Sequence, residues 1–330
     1  METLPGFRTE PEWRYGCRNM GKRAGLPFSC PAAVWCPGMR NRRVMYETVE
    51  KMMITEKQKE QARIFKSMHD ADRMFVLPNA WNAGSARVFE REGFRAVATS
   101  SAGFSYALGY PDGQAVPFGD LLHVVGQMTA RVDIPVSVDF ERGYSDEPEQ
   151  VRENARQLCL KGAVGFNIED GLPDGTLSPL ELQIEKIRTL AGLKRELDLD
   201  FVINARTCVY WLNVGSEEDR LKTAILRGNA FREAGADCVF VPGAIDRATV
   251  GRLVNGINAP VNILLNRAFH DVRELERIGV RRLSVGSGPA RWLCERMIGL
   301  ARELQDGKVS GILDCTFDYR RANDYFGGQG

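Results

Sequence analysis

The sequence predicts an α/β fold, a TIM-type (β/α)8 barrel with an N-terminal helix and a flexible N-terminal extension, and three observations predict it. Beyond residue 73, short apolar runs alternate with longer amphipathic stretches, which is the pattern of successive βα units. The apolar runs number eight and each is followed by a helical pattern, the count that closes a barrel. A doubly wound open sheet would show fewer strands and a glycine-rich turn after the first; here the first run leads into Pro78-Asn79-Ala80-Trp81-Asn82.

Residues 1–45 combine Pro, Gly and Arg with no helical or alternating period and carry eight Lys/Arg against three Asp/Glu. They are expected to form a flexible basic extension, with Met45, Met52 or Met53 as an alternative start. From Thr55 to His69 a capping threonine precedes Ala62, Phe65 and Met68 at helical spacing, so one helix should lie against the barrel. The expected strands are Met74–Leu77, Ala96–Thr99, Pro135–Val138, Val164–Ile168, Phe201–Asn204, Cys238–Val241, Val261–Leu265 and Arg282–Val285. The helical patterns between them fall at Ser85–Glu92, Phe118–Arg131, Glu147–Lys161, Pro179–Glu196, Ser216–Ala234, Arg247–Asn255, Val272–Ile278 and Pro289–Gln305. Residues 46–310 thus make one barrel domain and 311–330 a C-terminal tail.

Composition narrows the function classes. At 330 residues with 44% apolar and 26% charged residues the chain has a sizeable core, and its net charge of +1 supplies no field for nucleic acid or an anionic membrane. The eight cysteines form no CxxC pair, which argues against a zinc or thioredoxin-like site and makes a reducing cytoplasm the expected setting. No apolar run approaches the roughly 18 residues of a membrane span, and Leu26–Met39 is too interrupted for a signal-peptide core.

In such barrels the reacting groups sit at the C-terminal strand ends, and those ends are acidic here. The third strand ends Asp139-Phe140-Glu141, two carboxylates that share a side if the strand period continues. The fourth ends Glu169-Asp170, the fifth leads to Arg206, and the second βα loop adds Asp112. Carboxylates converging on one mouth repel one another unless a cation sits among them, and hard oxygen ligands suit Mg²⁺. Arg206 is then the bidentate clamp for a substrate carboxylate. Each acid alone has a plainer reading as a helix cap or surface ion pair, and Asp112 in Pro-Asp-Gly as a turn former. Gly286-Ser287-Gly288 either holds an anion or simply turns the chain. Cys208 reads either as a nucleophile or as a small buried residue, and His69, His123 and His270 as core or surface residues.

The chain resembles the isocitrate lyase and phosphoenolpyruvate mutase superfamily. The resemblance rests on Ser100-Ser101-Ala102-Gly103 with Leu108-Gly109-Tyr110-Pro111-Asp112, Asp139-Phe140-Glu141-Arg142-Gly143-Tyr144, Asn167-Ile168-Glu169-Asp170, Asn204-Ala205-Arg206-Thr207, Ala234-Gly235-Ala236-Asp237 and Phe240-Val241-Pro242-Gly243. It implies that Asp139 coordinates Mg²⁺, with Mn²⁺ as a substitute, and that Asp112, Glu141 and Glu169 hold the metal's water shell. It also implies that Asp139, Glu169 and Arg206 carry the chemistry, and that Arg206, Ser100, the backbone around Ser101 and Ala102, and Asn262 contact a small carboxylate or phosphonate. A homodimer or homotetramer with an exchanged last helix is implied as well.

Departures from the family pattern bear on the reaction. The lyases' Lys-(Lys/Arg)-Cys-Gly-His loop reads Gly171-Leu172-Pro173-Asp174-Gly175-Thr176-Leu177-Ser178, without Cys, His or Lys, and the mutases' gating Lys and Asn are not apparent. The family's Ala-Arg-Thr-Asp ends in Cys208. The expected activity is Mg²⁺-dependent cleavage or rearrangement of a C–C or C–P bond beside a carboxylate or 2-oxo group, through an enolate. Bound water, Tyr106, Tyr144 and the substrate stay open as proton donors. Decarboxylation or hydrolysis in the same site is the alternative, and a non-catalytic dicarboxylate-binding barrel the alternative of another class.

Overall fold

The first expected strand, Met74–Leu77, stops before Pro78, and beyond that proline an unexpected two-residue strand follows, so that the chain here joins the two ends of the sheet. The computed structural model describes residues 54–113, 116–243, 245–269 and 271–327; the expected extension 1–45 and His270 lie outside the described residues. Strand β1 (Phe75–Leu77) pairs with the last strand, β9 (Arg282–Ser284), while β2 (Asn79–Ala80) pairs with β3 (Val97–Thr99). Proline has no N–H to give to a ladder. Its carbonyl still accepts from the Ala98 N–H at 2.9 Å, so the chain passes from one neighbour to the other at this residue. Between them run β4 (Val136–Asp139), β5 (Gly165–Glu169), β6 (Val202–Arg206), β7 (Cys238–Val241) and β8 (Val261–Leu264), every pair parallel. Eight of the nine strand segments correspond to the eight expected runs, β2 being the addition, and the structure is a TIM-type barrel.

Helix α1 (Glu56–Asp70) begins at Thr55, whose Oγ1 accepts the Gln58 N–H at 3.1 Å. Its buried face brings Phe65 under the barrel, where a Cβ on Gly165 would come within 2.8 Å of the ring. Around the strands follow α2 (Ala83–Arg91), α3 (Ser101–Ala107), α4 (Phe118–Thr129), α5 (Pro148–Leu160), α6 (Leu180–Leu197), α7 (Glu217–Glu233), α8 (Arg247–Gly256), α9 (Val272–Ile278) and α10 (Gly288–Gln305). Alternate strand residues such as Val138, Phe166, Ile168, Ile203 and Ala205 join Leu158, Ile187 and Leu190 of the helices in one apolar cluster. That burial, about 1.5–3 kcal/mol per large side chain, fixes which strand face turns inward.

Two features depart from the expected elements. Helix α3, in the second βα loop, is too short and too rich in small residues to show a period; Ser100 starts it by accepting the Gly103 N–H at 3.1 Å. From the end of the expected barrel domain into the stretch expected as a tail, α11 (Ser310–Leu313) and α12 (Tyr319–Gly327) form. Helix α10 buries only Ala290, leaving Trp292, Met297, Ile298 and Leu304 exposed.

Candidate active site

Parallel register sets the rows of the site. Asp139 lies level with Asn167 and Asn204, and Glu169 level with Arg206 and Phe240, one row nearer the C-terminal strand ends. Inward-facing residues alternate, so these two rows form the floor and inner wall of a pocket of about 270 Å³ at the barrel mouth. Asp112, Asp139, Glu141, Glu169 and Arg206 all line it, together with Ser100, Ser101 and Ala102. Asn262 does not. It is fully buried and donates through Nδ2 to Ser284 Oγ at 3.1 Å, while Leu264, two residues on and on the same face of β8, lines the pocket. The structure thus does not bring Asn262 to the pocket lining with the other expected contact residues.

Asp139 ends β4. Its N–H donates to Thr99 Oγ1 at 2.8 Å, and its Oδ2 accepts the Ser101 N–H at 3.2 Å. The Ser101 amide, expected to cradle a ligand, is thus already committed to this carboxylate. Oδ1 is buried and has no partner, the one such carboxylate oxygen among the described residues. A buried carboxylate oxygen without a donor is costly unless a cation or water completes it, so the residue present fits a divalent metal. Among the described residues no three His, Cys, Asp or Glu side chains group closely enough to hold an ion between them. The arrangement that fits is one direct ligand, Asp139, with Asp112, Glu141 and Glu169 reaching the ion through water.

Glu141 reaches the pocket by a different route from the one the strand period suggests. The strand stops at Asp139, and Glu141 adopts a left-handed conformation with φ 50°, as does Tyr144 at 56°. Such conformations cost non-glycine residues about 1–3 kcal/mol each and persist where surrounding bonds impose them. Here the Glu141 carbonyl accepts the Glu169 N–H at 2.8 Å, and Lys186, buried on α6, donates through Nζ to the Arg142 and Ser145 carbonyls at 3.1 and 2.8 Å. Tyr144 Oη donates to Glu141 Oε1 at 3.4 Å, and burial, reinforced by the Glu141 charge, raises its pKa so that it keeps its proton. Gly143 between them has φ 89°, and a Cβ there would meet Val151 at 2.7 Å. Tyr106, the other tyrosine considered as a donor, stands exposed on α3 and does not line the pocket.

Glu169 and Arg206 form an ion pair, Oε2 to Nη1 2.7 Å, and the guanidinium lies 5.7 Å from each of the Trp211 and Phe240 rings. Burial raises the Glu169 pKa in spite of the Arg206 charge, and burial, then the Asp139 charge, raises that of Asp112. Burial opposes the charge on Arg206, but its acidic surroundings, Glu169 and Asp139 among them, outweigh it and its pKa rises.

Cys208 is buried with Sγ 3.7 Å from Glu169 Oε2, and burial raises its thiol pKa. A protonated, buried thiol is a poor nucleophile, and the packing role is the one the structure supports. A Cβ on Gly171 would meet Cys208 at 2.9 Å, so the segment from Gly171 to Ser178 lies directly against it. That segment is a small hairpin, with Gly171 bridged to Leu177 and the Leu172 N–H on the Thr176 carbonyl at 2.9 Å. Its base is held by Asp170, fully buried, which accepts from Arg227 Nε and the Cys208 N–H, both at 2.7 Å; Arg227 Nη2 also donates to the Ser178 carbonyl at 2.6 Å.

Among the pocket residues given no role in the sequence are Asn79, Asn167 and Ser284. Asn79 follows Pro78, and its Oδ1 accepts the Val285 and Gly286 N–H groups at 3.0 and 2.9 Å. Those amides are therefore occupied, which favours the turn reading of Gly286-Ser287-Gly288. His69 is a core residue whose pKa falls to about 3 through burial and the nearby Arg282 charge, and exposed His123 contacts Gln127 at 2.9 Å. No helix among the described residues is long and apolar enough to cross a membrane.

With this geometry in place, comparison with known proteins gives concordant matches. The family pattern described as phosphoenolpyruvate phosphomutase matches residues 65–305. An uncharacterized protein of Mycobacterium tuberculosis is 34% identical over 244 residues, covering 74% of this chain and 90% of the relative. The structure of a candidate lyase/mutase from Burkholderia cenocepacia aligns with TM-score 0.77 and 30% identity over 83% of this chain and 98% of the other. Phosphonopyruvate hydrolase, solved with oxalate and Mg²⁺, shares the fold with TM-score 0.72 and 20% identity over 81% of this chain and 95% of that one.

Proposed function

The chain belongs to the phosphoenolpyruvate phosphomutase family, in the isocitrate lyase/phosphoenolpyruvate mutase superfamily of enzymes, and on that premise we propose that it is a Mg²⁺-dependent lyase or phosphonomutase-like isomerase. Its reaction breaks or rearranges a C–C or C–P bond next to a carboxylate or 2-oxo group, leaving the electron pair delocalised as an enolate. The observation that carries this reading is the buried, unpartnered Oδ1 of Asp139 on the pocket wall beside the Glu169–Arg206 pair. Asp139 is the direct ligand in this reading, and Asp112, Glu141 and Glu169 hold water around the ion. When bound, Mg²⁺ or Mn²⁺ supplies positive charge where negative charge develops on substrate oxygen.

The chain's own groups do the rest. Arg206, oriented by Glu169 and by two aromatic rings, grips the substrate carboxylate. Tyr144 retains its proton and fixes the Glu141 carboxylate. The Gly171–Ser178 hairpin places Leu172 and Pro173 against the pocket and excludes water from it. The exposed apolar side chains of α10 form the contact with a second copy of the chain, giving a homo-oligomer.

A panel of 2-oxo acids, 2-hydroxy di- and tricarboxylates and phosphonopyruvate, followed by product appearance with and without Mg²⁺, tests the proposal. Metal-dependent turnover of at least one acid, lost in Asp139→Ala, is expected. Tight Mg²⁺-dependent binding with no product from any acid would instead support a non-catalytic dicarboxylate-binding barrel.

A further inference from the structure

The barrel interior beside the pocket is polar where such barrels ordinarily place branched apolar side chains. Arg282 of β9 is fully buried there and forms no ion pair among the described residues, and its Nε and Nη1 have no hydrogen-bond partner. Burial pulls its pKa down to about 10, with the Asp139 charge opposing the fall, so it stays a cation at neutral pH. Burying a guanidinium without a paired carboxylate is costly, and its contacts show what the charge serves. One is the Phe65 ring, 5.9 Å away, and the other is Asn167.

Asn167 carries this network to the pocket, which it lines. Its Oδ1 accepts from Asn204 Nδ2 at 2.6 Å and from Arg282 Nη2 at 3.4 Å. A guanidinium can only donate, so the reversed amide would set donor against donor, and the orientation is fixed from behind. The Nδ2 end is left for the pocket. Asn79, another amide in the lining, is committed at both ends: Nδ2 donates to the Thr99 carbonyl at 2.7 Å, and Oδ1 accepts the Val285 and Gly286 N–H groups. Asn167 is also the register partner of Asp139, on the next strand about 4.8 Å away. A substrate oxygen drawn to the Asp139 side of the pocket therefore comes within reach of the Asn167 amide.

We propose that Asn167 is a catalytic residue that donates a hydrogen bond through Nδ2 to the 2-oxo or 2-hydroxyl oxygen of the substrate, and that Arg282 is the positioning residue that aims it. Negative charge collects on that oxygen when the neighbouring C–C or C–P bond breaks, and a donor already aimed at it binds more strongly as the charge grows. The amide does this without giving up a proton. This rests on the enolate reading of the preceding section and adds the protein group that holds the enolate oxygen.

Calorimetry on the full chain with Mg²⁺ tests it, using oxalate, a planar dianion that presents its oxygens as the enolate of a 2-oxo acid does, beside Mn²⁺ uptake measured without oxalate. Asn167→Ala is expected to weaken oxalate binding at least about tenfold while Mn²⁺ uptake stays within about threefold of the parent. Asn167→Leu, closer in volume, should show the same loss and serves if the alanine variant does not fold. Arg282→Met should also weaken oxalate binding, and combining it with Asn167→Ala should add little, since it acts through that amide. Arg282→Lys, which keeps the buried charge but not the planar fork, gives the same comparison if the methionine variant does not fold. Unchanged oxalate affinity in the Asn167 variants, or an equal loss of Mn²⁺ uptake, overturns the assignment of Asn167. Additive losses overturn that of Arg282. Failure of the parent chain to bind oxalate overturns the enolate reading, and this inference with it.

Discussion

Replacing Arg227 by methionine keeps the length of the side chain and removes its charge, and the structure gives a size for the consequence. The substitution deletes the Nε contact to Asp170 at 2.7 Å and the Nη2 contact to the Ser178 carbonyl at 2.6 Å, leaving a fully buried carboxylate with the Cys208 N–H and the Thr207 side chain still facing it. Breaking one side of a buried pair in this way costs about 3–5 kcal/mol. The loss should depend on pH. Burial already raises the Asp170 pKa above the ordinary carboxylate value, with Arg227 the largest influence holding it down, so the variant's folded state binds a proton still more readily. A group whose folded pKa exceeds its unfolded one loses stability as pH rises through the interval between them. The deficit of Arg227→Met relative to the parent should therefore be smaller near pH 5 than near pH 8, where Asp170 must stay ionised or take up a proton against the solvent. Urea unfolding of both proteins at the two pH values measures it. Limited proteolysis should also reveal cleavage at the Gly171–Ser178 hairpin in the variant, since Asp170 and Arg227 hold its base. A deficit below about 1 kcal/mol, or one unchanged between the two pH values, would refute the assignment of Arg227 as the clamp of this hairpin.

Three further outcomes are expected. Gly143→Ala must take a left-handed conformation and place a Cβ 2.7 Å from Val151, so it should lose about 2–4 kcal/mol in denaturant unfolding and most of its turnover, because the Glu141 loop must shift. Mg²⁺ affinity should fall as pH drops through the raised carboxylate range of Asp112 and Glu169, since the protonated forms no longer attract the ion; titrations at constant ionic strength between pH 8 and 5 would show it, and a flat profile would count against these groups as its water-shell holders. Met297→Asp on the exposed face of α10 should lower the mass measured by light scattering while leaving the far-ultraviolet circular dichroism intact; an unchanged mass would place the contact elsewhere.

The barrel was legible because both of its periods are strong. Buried parallel strands such as Cys238–Val241 are continuous apolar runs, and helices such as Val272–Ile278 lie between turn residues, so both stand in the structure at the expected bounds. Short α3 was not legible, since seven residues including a glycine and four small side chains give no period. The acids at the strand ends could be read as a group because the fold places all strand ends together. Their individual geometry could not: Glu141 reaches the pocket through a left-handed turn held by Glu169 and Lys186, contacts made across other loops. Asn262 shows the converse, a polar strand residue on the same face as Leu264 that is buried against Ser284 instead of lining the pocket. Asp170 was visible as an acid but not as a clamp, because Arg227 lies on a helix far along the chain.

Manganese binding, read by the loss of the free-ion electron paramagnetic resonance signal, addresses Asp139 without requiring knowledge of the substrate. The parent chain should take up one ion, and Asp139→Asn, which keeps shape but not charge, should weaken uptake at least about 100-fold. Equal uptake by the two proteins would contradict the assignment of the barrel mouth as a metal-dependent active site.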